Sequence, residues 1–192
     1  MHMSIFFQIT ATIFSVVVCS NGTLAADLPV VGPDTNGVIF TLGKEDNSRS
    51  GYRGTGWGEV DIHACSIGLD CHSKPFPSHL HAASGRGEWH DTAVEHAQIS
   101  FSLGKAQDDV TLRLVRAGAE TIAVQLDDGE VVLVTKSMME PRTYEHSEFG
   151  AYDLKLGKLE AGQHVLDLSV SDDGEGNGRF GWDAIILRAS QN

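Results

Sequence analysis

The side chains best suited to chemistry stand near the two ends of this sequence and in the long stretch after its first strand. Glu45 and Asp46 lie toward one end, and Asp183 toward the other, with Asp172 and Asp173 further out. Calcium takes about six to eight hard oxygens from carboxylates and carbonyls, and loops rich in glycine and aspartate can wrap to supply them. These acids are therefore candidate calcium ligands. Lys44 and Arg179 are cations that could pair with them instead. The plainer alternative is a set of acids that cap turns and stay hydrated. Asp183 also needs a partner for another reason, because it starts an apolar strand and an unpaired buried carboxylate is costly.

Aromatic residues form the second set. Tyr52, Arg53 and Trp57 share one glycine-rich stretch, and Trp89 ends another. Sugar rings offer apolar C–H faces that stack on such side chains, while fixed polar neighbours such as Arg53 and Arg179 can meet their hydroxyls. Tyr52, Arg53, Trp57, Trp89 and Arg179 are the candidate ligand-binding residues. Phe180 and Trp182 adjoin the last strand, where core packing is the commoner fate of a tryptophan.

Histidine is concentrated: six of the nine, at His63, His72, His79, His81, His90 and His96, fall within 34 positions. The alternation His79-Leu80-His81 would place both rings on one side of a strand, as some zinc and copper sites do. Cys65 and Cys71 could add sulfur ligands. If the third cysteine, Cys19, leaves with a targeting segment, these two could instead close a small disulfide. Neither HExxH nor a pair of CxxC motifs is present.

Signs of catalysis are thin. The sequence has no GxSxG, HExxH or P-loop motif. Tyr52, Arg53, His79, His81 and Arg86 could be arranged as in a polysaccharide lyase. Glu88 and Asp91 flank Trp89, but a glycosidase needs two acids across a cleft and no partner for them is identifiable. A binding function is the leading reading, with a small lyase or hydrolase on the His-rich stretch, or a periplasmic transition-metal-binding protein, as alternatives.

The elements that must position these residues read as strands throughout. Alternating or β-rich runs occur at Val38 to Leu42, Glu59 to Ala64, His96 to Leu103, Val110 to Arg116, Thr121 to Leu126, Val131 to Lys136, Tyr152 to Leu156 and Gln163 to Val170, with a closing strand from Asp183. That is about nine strands, and no run of helical period competes with them. Asp127-Asp128-Gly129 predicts a hairpin, Ala117-Gly118-Ala119 and Glu160-Ala161-Gly162 predict turns, and Met138 to Ser147 predicts a connection. Alternation nominates Ile99, Phe101, Leu103, Leu112, Leu114, Leu166 and Leu168 for the core. Asp27 to Asn36 reads as an extended lead-in, and about 27 residues from Cys65 to Asp91 read as one long loop.

Three runs carry a resemblance. They are Asp172 to Leu187, with its glycine-rich half and its Trp182-Asp183-Ala184-Ile185-Ile186-Leu187 half; the penultimate strand Gln163 to Val170; and Val38 to Asp46 near the start. Together they resemble a galactose-binding-like β-sandwich, the jelly-roll of many carbohydrate-binding modules, and are similar to the C-terminal domain of rhamnogalacturonan lyases. The resemblance implies an all-β, antiparallel β-sandwich whose first and last strands are neighbours. It implies a structural calcium between those strands, with Asp183 and Glu45 as its foremost ligands. It also implies a polysaccharide or glycan as ligand, with an enzyme as a possible partner.

Composition bounds the rest. The formal charge of −12 repels phosphate backbones, so nucleic acid is an unfavoured partner. The apolar run from Ser4 to Val18, followed by Ala25 and Ala26, predicts a signal peptide over residues 1–26 and a secreted or periplasmic protein, although no Lys or Arg precedes the run. What remains, 27–192, is about 165 residues, enough for one sandwich domain with a sizeable core. No later segment is apolar enough to cross a membrane.

Overall fold

In the computed structural model, residues 28, 30–45, 70–71, 79–81, 96–117, 121–144, 147–171 and 179–190 are described. They form twelve strands in two sheets of six. In chain order these are β1 (Val30–Val31), β2 (Val38–Gly43), β3 (Asp70–Cys71), β4 (His79–His81), β5 (His96–Leu103), β6 (Gln107–Ala117), β7 (Thr121–Leu126), β8 (Val132–Val134), β9 (Glu140–Tyr144), β10 (Ser147–Leu159), β11 (Gly162–Ser171) and β12 (Arg179–Arg188). The only helical turn among the described residues is a short 3-10 segment at Lys136–Met138. None of the helices described is long and apolar enough to cross a membrane.

One sheet runs β1-β5-β11-β7-β8, and the other runs β2-β12-β6-β10-β9. Each sheet is completed along one side by a second short strand, β3 on β5 and β4 on β12. Except for the parallel pairing of β1 with β5, every ladder is antiparallel. This is the expected antiparallel sandwich, and the first and last long strands are the expected neighbours: β2 pairs with β12, with Leu42 opposite Ile185 and Phe40 opposite Leu187.

Period-two alternation builds the core. β5 buries Ala97, Ile99, Phe101 and Leu103, while Gln98, Ser100 and Ser102 face outward, half-buried. Leu112 and Leu114, and Leu166 and Leu168, are fully buried from the other sheet and the neighbouring strand, as alternation predicts. Phe40 and Phe101 meet edge-to-face across the sandwich at 5.4 Å between ring centres. The second sheet is also apolar on its outer face, where Val115, Ala151, Ala184 and Ile186 form a separate buried cluster joined by Val38.

Several boundaries differ from the sequence expectation. The closing strand begins at Arg179, so Asp183 lies inside it as a β-bulge between Trp182 and Ala184. The extra residue resets the alternation, which lets Trp182 share the core with Ile185 and Leu187. Met138 to Ser147 is mostly strand rather than a connection. β9 accommodates Pro141 because it is an edge strand, paired only to β10. The run expected from Val131 to Lys136 shortens to β8, with Lys136 in the 3-10 turn. Tyr152 to Leu156 is the middle of a 13-residue strand that continues through Gly150 and Gly157. The lead-in contributes β1, and the stretch 65–91 contributes β3 and β4, so it braces both sheets. The strand expected at Glu59 to Ala64 lies outside the described residues.

Candidate functional site

Strand directions divide the sandwich into two unlike ends. At one end the chain crosses between the sheets in two short corners, 104–106 from β5 to β6 and 160–161 from β10 to β11, and the turn 127–129 closes β7 onto β8. At the other end lie the finish of β2, the start of β5, the finish of β6, the start of β7, the start of β10, the finish of β11 and the start of β12. Residues 46–69, which hold Tyr52, Arg53 and Trp57, depart from this second end. Residues 82–95, which hold Trp89, return to it at His96. Tyr52, Arg53, Trp57, Trp89, Asp46 and Cys65 themselves lie outside the described residues, so the expected Cys65–Cys71 pairing does too; Cys71 stands in β3.

The remaining candidate residues collect here on the backbone. Arg179 opens β12 and is registered against His81 of β4, with Gly181 against His79. On the other side of β12, Gly181 is registered against Ala117 and Trp182 against Arg116. The His79-Leu80-His81 motif is thus a strand, as expected, with Leu80 fully buried. Trp182 is 1% exposed and packs in the core. Among the described residues, Arg116 and Asp183, at 0% and 1% exposed, are the two buried charged residues at this end, and both engage other groups.

The approach of β2 to the bulge is unusually close. Gly43 has φ +72°, and a Cβ there would stand 2.2 Å from the Asp183 carbonyl oxygen. That carbonyl accepts the Lys44 N–H at 3.0 Å. Only glycine allows this contact, and it carries the chain at Glu45 over the outer face of β12 and onto β6. There the Arg113 guanidinium donates from Nε and Nη2 to the two Glu45 oxygens, both at 2.8 Å. Its Nη1 donates to both Asp153 oxygens, at 3.0 and 2.9 Å, from the opposite residue of β10. The Glu45 hydrogen bond holds Arg113 well above the ordinary arginine range; partial burial opposes it, and Asp153 adds to it.

Arg113 is the residue that sequence reasoning missed. Its position between Leu112 and Leu114 marks it as outward-facing, but the strand order that brings it to Glu45 is a tertiary fact. Glu45 has a cation of the chain on both oxygens, so the fit to calcium is uneven across the expected set. Asp183 is a buried acid whose backbone carbonyl lies against Gly43 and Lys44. At Glu45, the Arg113 guanidinium would compete with a metal for the same two oxygens. Among the described residues, no three His, Cys, Asp or Glu side chains are grouped to hold a metal ion.

The sheets define an antiparallel β-sandwich. No family model matches the chain, and no curated protein matches it. Solved structures do. A family 35 carbohydrate-binding module from an environmental isolate is 17% identical, with the match covering 84% of this chain and 97% of that one at a TM-score of 0.34. The family 35 module of Cellvibrio japonicus Abf62 is 12% identical, covering 84% and 92% at a TM-score of 0.33. A family GH115 4-O-methyl-alpha-glucuronidase with specificity for decorated arabinogalactans is 14% identical at a TM-score of 0.35. That match covers 57% of this chain, which spans 16% of the glucuronidase's length.

Proposed function

We propose that this chain is an exported glycan-binding module whose ligand site is built at the open end of the sandwich. The observation that carries the reading is the sorting of the two ends. At the open end residues 46–69, with Tyr52, Arg53 and Trp57, leave β2 on their way to β3, residues 82–95, with Trp89, enter β5, and Arg179 opens β12, while the other end is closed by short turns. Aromatic faces and guanidinium donors gathered on a rigid scaffold suit polyhydroxylated rings. In this reading residues 1–26 direct export and are removed, and Cys65 and Cys71 are joined.

The reading includes a structural calcium between β2 and β12, with Asp183 and Asp46 as its acids. Such an ion would bind the native state alone and so stabilise it, by about 2.7 kcal/mol at a hundredfold excess over its Kd. Elemental analysis of the purified protein checks this directly: calcium is expected, and copper or zinc instead would move the reading toward transition-metal binding.

A glycan array probed with and without EDTA tests the function. Retention of one class of glycan is expected, lost in EDTA if calcium holds the site in shape. Trp57→Ala should weaken retention by about tenfold, the loss of one ring-stacking contact. No retention on any glycan by the folded protein, or release of new reducing ends or unsaturated uronates from a polysaccharide panel, would overturn the binding reading.

A further inference from the structure

We propose that the β8 edge of the first sheet seats a second copy of this chain, paired strand to strand about a two-fold axis at Leu133. β8 ends its sheet, and among the described strands it pairs with β7 alone. Its flank is apolar for an open edge. Val131 is 48% exposed, Leu133 51% and Met138 42%, so three of the five large apolar side chains exposed among the described residues fall within eight positions. Open edges are ordinarily blunted by a charge, a proline or a covering segment, because their N–H and C=O groups attract other strands. Two other edges follow that habit: β9 carries Pro141 and Arg142, and β2 is buried or half-buried along its length. The run Val131-Val132-Leu133-Val134-Thr135 holds neither charge nor proline, and Thr135 is still extended, at φ −89° and ψ 161°.

Charge and symmetry name the occupant. Glu130 and Lys136 flank this run, each three residues from Leu133 and each exposed. Antiparallel pairing of β8 with its own copy, Leu133 facing Leu133, sets Val132 opposite Val134 and Val131 opposite Thr135. The same register brings Glu130 of each copy to Lys136 of the other, twice over, because a two-fold contact is isologous. Residues paired in this way share a face of the sheet, so the exposed Leu133 side chains cover one another. Lys136 also engages a group of its own chain, and exposed ion pairs are weak. The charges therefore set the register, while the ladder and the apolar side chains supply the affinity.

The pairing joins two six-stranded sheets into one continuous sheet. β8 starts beside the turn 127–129 at the closed end and runs toward the open one, so an antiparallel pair points its two open ends in opposite directions. On the reading that the open end binds glycan, the dimer holds a glycan at each extremity and links two chains of it. That consequence rests on the glycan reading; the pairing itself does not.

A ladder this short is a small contact, so sedimentation equilibrium of the purified protein should show monomer and dimer exchanging between about 10 μM and about 1 mM. Leu133→Lys, a charge set on an open edge at an exposed position, should weaken the dimer by about tenfold or more. Glu130→Lys alone and Lys136→Glu alone should each weaken it about tenfold, since two like-charged pairs replace two opposite ones. An equimolar mixture of those two variants restores both opposite pairs and should regain the original association. A protein that is monomeric throughout the range, a dimer indifferent to Leu133→Lys, or a mixture no tighter than either charge variant by itself would overturn the proposal. None of these readings involves a glycan, so failure on the glycan array and failure here are distinct.

Discussion

Arg113 makes four charged hydrogen bonds from one side chain on the outer face of the second sheet. Bidentate guanidinium–carboxylate pairs are the strongest of their kind, and this one is only 14% exposed on the arginine side. Arg113→Ala should therefore cost about 1–2 kcal/mol, discounted for the exposure of Asp153, and chemical denaturation would show it as a lowered midpoint. The same variant separates two roles for Glu45. With Arg113 in place, Glu45 is neutralised within the chain; if the chain binds calcium through Glu45, removing Arg113 should raise the affinity measured by titration calorimetry. Phe101 is the other residue on which much depends, since it touches Phe40 on one side and His164 on the other. Phe101→Ala should cost about 3–5 kcal/mol, readable in the same unfolding experiment.

At the scale of elements, the contact that matters most is β2 against β12. Gly43 makes it possible, and Gly43→Ala would require a Cβ 2.2 Å from the Asp183 carbonyl oxygen in a left-handed conformation. The two effects together should cost more than about 2 kcal/mol and loosen the pairing, which hydrogen exchange of the Lys44 amide would report. Most elements could be read from alternation alone. His96–Leu103 and Thr121–Leu126 have the expected bounds, and the Asp127-Asp128-Gly129 hairpin forms. The misread elements share a cause. β9 carries a proline, β10 contains two glycines and β12 contains a bulge, and each feature reads locally as an interruption. Pairing with a neighbour overrides it, since a ladder supplies hydrogen bonds that the isolated segment lacks. β1, β3 and β4, two or three residues long, exist only because β5 and β12 offer them an edge.

For the whole molecule, the two ends of the sandwich are unlike. One end is tightened by short corners and by the Asp127–His164 pair. At the other, residues 46–69 leave β2 and residues 82–95 enter β5, and these segments hold Tyr52, Arg53, Trp57 and Trp89. If the proposed glycan binding holds, changes at the closed end should alter stability without altering which glycan is retained, and His164→Gln compared with Trp57→Ala on one array would check that separation. If calcium lies between the first and last long strands, EDTA should lower the thermal midpoint of the whole domain, because β12 is central to its sheet and cannot loosen alone.

Alternation of side chains determined the all-β class, the core positions and most strand bounds, because each face of a strand is written in residues two and four apart. The neighbouring first and last strands came from the resemblance carried by the terminal motifs. Only the tertiary structure decided that Asp183 occupies a bulge, that Glu45 meets Arg113 and that His164 meets Asp127. Glu45 and Arg113 are 68 residues apart, and His164 and Asp127 are 37 apart. No local pattern encodes such distances; they follow from which strands lie side by side once the apolar faces have closed on one another.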